Sequence, residues 1–456
     1  MNIWWIRRDL RLADNPALTA ALQADTTFLP VFILDEHLLN KPAEKRQAFL
    51  FTGLRILDED LKRLGSGLIV RRGDSQQELP RLVAESGASS VFAEADVSPY
   101  ARKRDAAVAR EVDLHLMHGA SFYPPAAVKA SNGRPYQVFT PYSRAWKALP
   151  FSDQVLPAPS GLNRILELLM DPIPEARTPL EFSPGEAVAR RLLADFLAGP
   201  IHTYREARDR MDLVGTSQLS PYLRFGMVSI RQAVISAERA IAQAPDAQAR
   251  AGAGAWLNEL IWRDFYRSIL YQYPAVLDTA FKPGMRTIPW RDAPSDLRAW
   301  QDGQTGYPVV DAAMRQLAVT GWMHNRARMI AASFLVKHLL INWQAGERWF
   351  MQQLIDADPA SNNGGWQWVA GTGTDAAPYF RIFNPILQGK KFDPLGRYVR
   401  RWVPELTSVP DRHIHSPWEM TASEQQDSRV IIGRQYPAPI VEHAFARERA
   451  LAAYRK

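Results

Sequence analysis

Over residues 1–130, short apolar runs alternate with amphipathic stretches, a pattern that predicts repeated strand–helix units. The apolar runs predict five strands: Asn2–Ile6, Thr27–Leu34, Leu68–Arg72, Ser90–Glu94 and Asp113–Met117. The amphipathic stretches predict four helices: Pro16–Gln23, Gln47–Leu64, Gln76–Glu85 and Pro99–Glu111. Such repetition implies an α/β, Rossmann-like fold with a parallel sheet covered on both faces. The G-x-G-x-x-G sequence of dinucleotide sites does not follow the first strand.

The pattern loosens from residue 131 to residue 187. Prolines recur there, as in a linker laid over a surface: Pro150, Pro157, Pro159, Pro172, Pro174, Pro179 and Pro184. From residue 188 to residue 456 the apolar spacing is helical. We therefore predict an α/β domain over 1–130, a linker over 131–187 and an all-α domain over 188–456.

Composition adds little to this division. Hydrophobic residues make up 46% of the chain and charged residues 23%, as in soluble globular proteins. The best membrane-span candidate, Met329–Ile341, is interrupted by Lys337 and His338. The absence of cysteine excludes disulfides and thiolate metal sites and is compatible with a cytoplasmic protein. The net charge of +7 is compatible with a polyanionic partner but identifies no fold.

Two helical faces carry unusual polar residues. Glu259, Trp262 and Arg263 share one face. The simpler interpretation of this face is an ordinary ion pair packed on an aromatic ring. Trp322, Asn325, Arg326 and Met329 share a second face. A buried amide at such a position must be satisfied by another helix or by a ligand.

Two further segments carry candidate chemistry. In Asp356–Trp368, aspartates that could cap a helix precede Asn362 and a Gly-Gly pair that permits close backbone approach. Two aspartates without clustered histidines make a poor metal site, so we expect no metal. Gly215–Ser220 offers hydroxyls and amides at a predicted helix start, either as a phosphate cradle or as an ordinary cap.

Taken together, these segments resemble in order and spacing the DNA photolyase and cryptochrome family, in particular its class I cyclobutane pyrimidine dimer photolyases. The resemblance begins at Trp5–Asn15 and extends to Tyr436–His443, essentially the whole chain. It implies an FAD-binding helical domain. The residues implied to bind FAD are Tyr204, Thr216, Ser217, Leu219, Ser220, Arg328, Asp356, Asp358 and Asn362, with Arg328 paired to Asp356. Gln218 departs from the arginine common in that loop.

The resemblance also implies a pocket for a flipped-out lesion. Trp262 and Trp368 match its aromatic wall, Glu259 and Asn325 match groups that bond to the base edges, and Met329 matches a lesion contact. Related enzymes for (6-4) photoproducts resemble this chain but carry histidines at positions 325 and 329, so cyclobutane dimers are the expected substrate. Asn362 matches the residue facing the reactive flavin nitrogen. Plant cryptochromes carry aspartate there, and a neutral amide suits a reduced anionic flavin better.

Ultraviolet-damaged DNA is the implied partner of a monomeric protein. Arg208, Arg263, Arg326 and Arg381 match residues that meet the phosphates flanking the lesion. A basic run either extends this footprint or is a solvated face: Lys390, Lys391, Arg397, Arg400 and Arg401. The implied repair step is electron transfer from photoexcited reduced FAD to the dimer. Trp366, Trp343 and Trp290 match the indoles that reduce oxidised flavin.

A second, light-harvesting chromophore is implied, and its identity stays open among folate, deazaflavin and flavin. Folate-binding members carry a glutamate where this chain has Ala101, and Asp96–Asp105 is more similar to members using the other two. Two other functions use the same scaffold: a cryptochrome-like photoreceptor without repair activity, and a DNA-binding flavoprotein without photochemistry. Asn362, the dimer pocket, the three indoles and the lack of a long tail favour repair.

Overall fold

The computed structural model describes residues 1–25, 27–163 and 168–455. Contacts divide the chain into two compact units. The first unit comprises residues 1–205, 216–274 and 355–360, and the second comprises 206–215, 275–354 and 361–456. No helix in the described part of the chain is both long and apolar enough to cross a membrane.

A five-stranded parallel sheet forms the centre of the first unit. Its strands are β1 (Asn2–Ile6), β2 (Phe28–Leu34), β3 (Ile69–Arg72), β4 (Ser90–Glu94) and β5 (Leu114–Met117), in the order β3-β2-β1-β4-β5. Every residue of β1 and β2 is buried, as expected of strands covered on both faces. The order reverses between β1 and β4, so the carboxyl ends of these two strands flank the crevice where open α/β sheets bind ligands.

Helices separate these strands along the chain and follow the last of them. In the first unit they are α1 (Pro16–Ala24), α2 (Glu36–Leu39), α3 (Glu44–Arg63), α4 (Ser75–Ser86), α5 (Pro99–Val108), α6 (Phe139–Lys147), α7 (Glu186–Ala198), α9 (Ser220–Phe225), α10 (Ile230–Ala242) and α11 (Ala247–Gln272). The short α8 (Tyr204–Ala207) runs from the first unit into the second. The five predicted strands and four predicted helices of the amino-terminal part are confirmed, with ends shifted by up to three residues.

The second unit is helical in its described part. Its helices are α12 (Pro294–Gln301), α13 (Pro308–Thr320), α14 (Asn325–Ser333), α15 (Trp343–Gln353), most of α16 (Pro359–Ala370), α17 (Pro385–Phe392), α18 (Arg397–Trp402), α19 (Ala422–Asp427) and α20 (His443–Tyr454). A π-helical turn, Phe334–His338, follows α14. The predicted combination of an α/β domain and a helical domain is confirmed.

The predicted linker contains regular structure. Helix α6 lies inside it because Tyr142, Ser143 and Trp146 bury one helical face. The helical spacing of these three residues is short, and the prolines around it predicted a linker instead. Residues 164–167 of the predicted linker lie outside the described residues. The bounds of the three predicted segments, 1–130, 131–187 and 188–456, stay a prediction.

Candidate active site

Two half-buried carboxylates of the first unit share one arginine. Arg8 Nη1 lies 3.0 Å from Asp96 Oδ2, and Arg8 Nη2 lies 3.2 Å from Asp358 Oδ2. Arg267 Nη1 lies 3.9 Å from Asp358 Oδ2. Burial by itself raises the pKa of Asp358, but the charges of Arg8 and Arg267 outweigh it and hold that pKa well below its ordinary value. Asp358 also caps α16, since its Oδ1 accepts from the backbone N–H of Ala360 at 3.1 Å.

Positive charge is concentrated beside this segment. Arg224 Nε donates to the carbonyl of Ala357 at 2.6 Å, and its Nη1 is buried without a hydrogen-bond partner among the described residues. Burial, together with the charge of Arg8, lowers the pKa of Arg224 to about 9. Burial lowers the pKa of Arg46 to about 10, against the opposing effect of Asp356. An anionic group near residues 356–358 would stabilise these cations.

The loop that ends at Ser220 leads directly into helix α9. Helix α9 begins at Ser220, as predicted, and Leu219 before it is buried. Thr216 and Ser217 are half-buried. Gln218 has a left-handed backbone with φ of 50°, which is uncommon for a residue with a side chain. Tyr204 is buried with its ring edge-on to Phe196, 5.7 Å between centroids.

Helix α11 places Glu259, Trp262 and Arg263 on one face, but the three side chains have different surroundings. Trp262 is half-buried and stacks on Phe139, with 3.7 Å between ring centroids and an interplanar angle of 4°. Glu259 is half-buried. Arg263 turns inward, and its Nη1 donates to the carbonyl of Ala120 at 2.6 Å. Burial, with the charge of Arg267, lowers the pKa of Arg263 to about 10.

In the second unit, the start of α14 brings Asn325 and Met329 together. Asn325 is exposed, and its Nδ2 lies 3.8 Å from Met329 Sδ. His324 caps the helix, because its Nδ1 accepts from the backbone N–H of Arg326 at 3.1 Å. Burial lowers the pKa of His324 to about 4, which keeps the ring neutral and able to accept. Asn325, Arg326 and Met329 lie on α14 as predicted, but Trp322 precedes the helix, so the predicted helical face is wrong for Trp322.

Arg326 is held in place by two contacts of the second unit. Its Nη2 lies 2.8 Å from Asp209 Oδ2, and its guanidinium lies 4.3 Å from the ring centroid of Phe392. Arg381 is exposed, and Arg208 is half-buried. Asp209 was not predicted as a site residue, since no local spacing connects it to Arg326.

Asn362 is oriented by a residue that the sequence did not single out. Its Nδ2 donates to both the backbone oxygen and the Oε1 of Glu347, each at 3.1 Å. With Nδ2 directed at Glu347, the amide presents its Oδ1 to any group on its other side. Burial raises the pKa of Glu347, and the hydrogen bond from Asn362 opposes that rise.

Three tryptophans of the second unit show a gradient of exposure. Trp366 and Trp343 are 2% and 3% exposed, and Trp290 is half-buried. An added Cβ at Gly346, one turn after Trp343 on α15, would lie 2.1 Å from Trp366 Cη2, so the Trp366 ring packs on this helix. Next to Trp290, the N–H of Arg291 donates to the carbonyl of Leu340 at 2.8 Å, three residues before Trp343. These contacts place the Trp366 ring against α15 and residue 291 beside residue 340.

Comparison with known proteins covers the whole chain. A model described as the FAD binding domain of DNA photolyase matches residues 256–456, and one described as DNA photolyase matches residues 2–160. The deoxyribodipyrimidine photo-lyase of Halobacterium salinarum is 40% identical, over 100% of this chain and 99% of that protein. That of Escherichia coli is 41% identical, over 99% and 98%.

The chain belongs to the DNA photolyase family.

Solved photolyase structures agree with this. A class III photolyase from Agrobacterium tumefaciens has a TM-score of 0.92 at 36% identity, covering 100% of this chain and 97% of that one. The cryptochrome of Synechocystis has a TM-score of 0.89 at 30% identity, covering 99% of each chain. An archaeal photolyase from Sulfolobus tokodaii with two FAD molecules has a TM-score of 0.83 at 30% identity, covering 100% of each. The predicted family is confirmed, and the predicted class I assignment stays a prediction.

The photolyase residues fit FAD chemically. FAD carries a pyrophosphate and, when reduced, an anionic ring, and the buried donor of Arg224 offers positive charge without a hydrogen-bond partner in the described part of the chain. The amide oxygen of Asn362 can accept from a ring N–H. Among residues 1–25, 27–163 and 168–455, no group of three His, Cys, Asp or Glu side chains is arranged to hold a metal ion.

The predicted site residues divide between the units. The first unit contains Tyr204, Thr216, Ser217, Leu219, Ser220, Glu259, Trp262, Arg263, Asp356 and Asp358. The second contains Arg208, Trp290, Asn325, Arg326, Arg328, Met329, Trp343, Asn362, Trp366, Trp368 and Arg381. Their individual roles, and the predicted salt bridge of Arg328, stay predictions. Sequence reasoning missed Phe139, Asp209 and Glu347, which act through partners remote in the chain.

Proposed function

We propose that this photolyase uses light to repair cyclobutane pyrimidine dimers in ultraviolet-damaged DNA, with FAD as its cofactor. The observation that carries the proposal is the neutral amide of Asn362. Glu347 accepts from its Nδ2 and so leaves its Oδ1 available to accept a hydrogen bond. A carboxylate at this position would repel a reduced anionic flavin, whereas an amide oxygen accepts from it. The full-length similarity to deoxyribodipyrimidine photo-lyases supports the same reaction.

FAD supplies the light-driven electron when it is bound in its reduced form. The proposed binding residues are Tyr204, Thr216, Ser217, Leu219, Ser220, Arg328, Asp356, Asp358 and Asn362. Thr216 and Ser217 offer hydroxyls for phosphate, and the arginines around Asp358 compensate negative charge. Asn362 orients the ring through its Oδ1.

The lesion contacts use aromatic stacking and base-edge hydrogen bonds. A dimer inside a duplex is out of reach, so photolyases flip it out of the stack, as other enzymes that act on a base in a duplex do. Trp262, backed by Phe139, is a rigid ring on which a base can stack, and Trp368 is the second ring of the proposed wall. Glu259 and Asn325 bond to the base edges, and Met329 contacts the lesion. Asparagine and methionine at 325 and 329 favour cyclobutane dimers over (6-4) photoproducts.

Backbone phosphates meet arginines. Arg208, Arg326 and Arg381 are the proposed contacts, and the Asp209 carboxylate positions Arg326 for this role. Arg263 would first have to leave the carbonyls of Ala120 and Leu223. The monomeric state and the cytoplasmic location belong to the same proposal.

Trp366, Trp343 and Trp290 are the proposed path by which an electron reaches oxidised flavin from the surface. Their exposure rises from 2% for Trp366 and 3% for Trp343 to a half-buried Trp290, which suits an inward path. The packing of Trp366 on α15 and the bond from Arg291 to Leu340 support short steps between them.

A second chromophore, in the α/β part, completes the proposal. The Sulfolobus tokodaii photolyase contains two FAD molecules. In this chain Ala101 is 3% exposed and presents only a methyl group, which disfavours folate relative to deazaflavin or flavin. Tyr100 donates to Asp35 after β2 and stacks with His37 at 5.0 Å, so aromatic surface is available near the strand ends. Chromatography of the chromophores released from purified protein identifies the second one.

A photoreceptor without repair activity is the alternative, favoured by the likeness to the Synechocystis cryptochrome. Incubation of dimer-containing DNA with protein holding fully reduced FAD, under blue light and in darkness, distinguishes the two. Repair in light alone supports the proposal, and absence of repair in light leaves the photoreceptor. Glu259→Ala is expected to weaken repair while FAD stays bound; loss of FAD would show that Glu259 serves the cofactor.

A further inference from the structure

Lys337 is a fully buried cation at the end of the π-helical turn Phe334–His338. Its side chain is 1% exposed. The Nζ donates to the carbonyls of Ala370 and Tyr379, each at 3.3 Å, and lies 3.4 Å from the ring centroid of Tyr454. Two carbonyls and an aromatic face stabilise an ammonium group, but they supply no opposite charge.

The charged neighbours do not neutralise Lys337. No ion pair of Lys337 occurs within the described residues. His338 lies 2.8 Å from His443, and burial, with the charges of His443 and Arg449, lowers the pKa of His338 to about 3, so this pair is neutral near pH 7. Arg449 donates to the carbonyl of His338 at 2.5 Å.

One further charged pair lies along the same stretch of chain. Arg291 donates to the carbonyl of Leu339 at 2.9 Å and lies 3.2 Å from Asp296.

Burial lowers the pKa of Lys337 to about 7, so its charge changes within the physiological range. Because His338 and His443 stay neutral there, Lys337 is the group of this cluster whose charge varies near pH 7.

This charge lies near Trp290, the outermost indole of the proposed electron path. The ring of Tyr454 meets Trp290 edge to face, with 6.0 Å between centroids. Since Lys337 Nζ is 3.4 Å from the same Tyr454 ring, Nζ lies within about 10 Å of Trp290. Tyr454 packs in an apolar cluster with Ile288, Leu340 and Ala453, and little water intervenes to screen the charge.

We propose that Lys337 acts through its charge: its protonation state controls electrostatically how readily Trp290 is oxidised. The inference rests on the proposed electron path. When an electron leaves Trp290 for the oxidised indole of Trp343, Trp290 becomes a radical cation and Trp343 returns to its neutral form. An ammonium at Lys337 repels the new positive charge, and a neutral amine does not. Lys337 itself exchanges no electron, and added ferrocyanide finally returns one electron to Trp290 and becomes ferricyanide.

The first test follows the oxidised Trp290 by transient absorption after a blue flash, from pH 6 to pH 9, in the FAD-bound protein with excess ferrocyanide, whose protonation does not change over this range. In the wild type, the lifetime of the radical cation is expected to rise by about tenfold with pH, as Lys337 loses its proton. Lys337→Met, which is unbranched, only one heavy atom shorter and fits a buried site, is expected to give the long lifetime at every pH. Lys337→Arg, charged throughout, is expected to give the short one.

Two controls separate the possible failures. A Lys337→Met variant that retains the pH dependence of the wild type overturns the role of Lys337 and leaves the electron path intact. If Trp290→Phe is photoreduced as fast as the wild type, the proposed path itself is contradicted, and the role of Lys337 with it. Thermal unfolding of each variant verifies that it is folded.

The second test does not depend on light or on repair. Lysine labelled with ¹³C at Cε gives an NMR signal for each side chain, and the signal lost in Lys337→Met is that of Lys337. Its titration midpoint is expected well below the ordinary lysine pKa of about 10.4. A midpoint in the ordinary range would mean that Lys337 keeps its charge at all pH values used, and would overturn the proposal.

Discussion

The side-chain amide of Asn362 donates to the Oε1 of Glu347 at 3.1 Å, across 15 positions of the chain. The backbone oxygen of Glu347 accepts from the same nitrogen at 3.1 Å. Two acceptors on one side determine which way the amide faces. The residue proposed to face the flavin therefore has its orientation set by a partner one helix away.

Glu347→Gln tests this orientation. The backbone oxygen of residue 347 still accepts from Asn362 Nδ2, but the new amide can also donate to Asn362 Oδ1, so the Asn362 amide is held less firmly in its orientation. We expect the quantum yield of dimer repair to fall by about tenfold, with FAD still bound, a loss comparable to that of one oriented hydrogen bond. The measurements are repair per absorbed photon and the FAD content. Glu405→Gln, which removes a carboxylate paired with Arg315, serves as the control; equal losses in both variants would contradict the specific role of Glu347.

Gly346→Ala tests the packing of Trp366 on α15. The added Cβ would lie 2.1 Å from Trp366 Cη2 and 2.6 Å from Leu335 Cδ2, so the indole must move. Overpacking of this kind costs about 1–3 kcal/mol of unfolding free energy, and we expect slower photoreduction because the contact with α15 changes. Denaturant unfolding and photoreduction rates measure both effects.

A matched glycine separates packing from helix propensity. Gly254 lies in α11, and a Cβ added there meets nothing within 4 Å. Gly254→Ala is expected to stabilise the protein by about 0.5–1 kcal/mol. If Gly346→Ala were stabilising to the same extent, the close contact with Trp366 would be wrong.

Arg326 and Arg263 are expected to behave differently in DNA binding. Arg326→Ala removes a proposed phosphate contact, so affinity should fall for all sequences and the slope of log K against log salt should decrease by about one. Arg263→Ala leaves the carbonyls of Ala120 and Leu223 without their donor and should mainly reduce stability. Binding titrations at several salt concentrations and urea unfolding test the pair. A full salt-slope change in Arg263→Ala would instead place its guanidinium on the DNA.

Asp96→Asn tests the half-buried ion pair of Asp96 with Arg8. Burial raises the pKa of Asp96, but Arg8 and Arg267 outweigh it and hold that pKa far below the unfolded value. A depressed folded pKa contributes stability above about pH 4 that is lost as pH falls towards the folded value. The variant should therefore be less stable than the wild type by about 3 kcal/mol from pH 5 to pH 8, with a smaller difference in acid. Urea unfolding across pH measures this, and a difference that grows in acid would contradict the pairing.

Local pattern alone determined the five strands, four helices of the amino-terminal part and the shared face of Asn325 and Met329. Apolar runs specify buried strands and the 3.6-residue helical period specifies which side chains are neighbours, so these features depend on residues close in sequence. The family resemblance supplied the candidate site residues. Helix α6 was not predicted, because the prolines around it indicated a linker.

Only the tertiary structure decided which partner each site residue has. Asn362 with Glu347, Arg326 with Asp209, and Asp358 with Arg8 are separated by 15, 117 and 350 positions. No periodicity connects such positions, because their proximity results from packing of whole elements and not from the geometry of one helix or strand. The inward turn of Arg263 and the burial of Lys337 have the same origin: the sequence shows a charge, and the surrounding fold decides whether it meets water, a carbonyl or an aromatic ring.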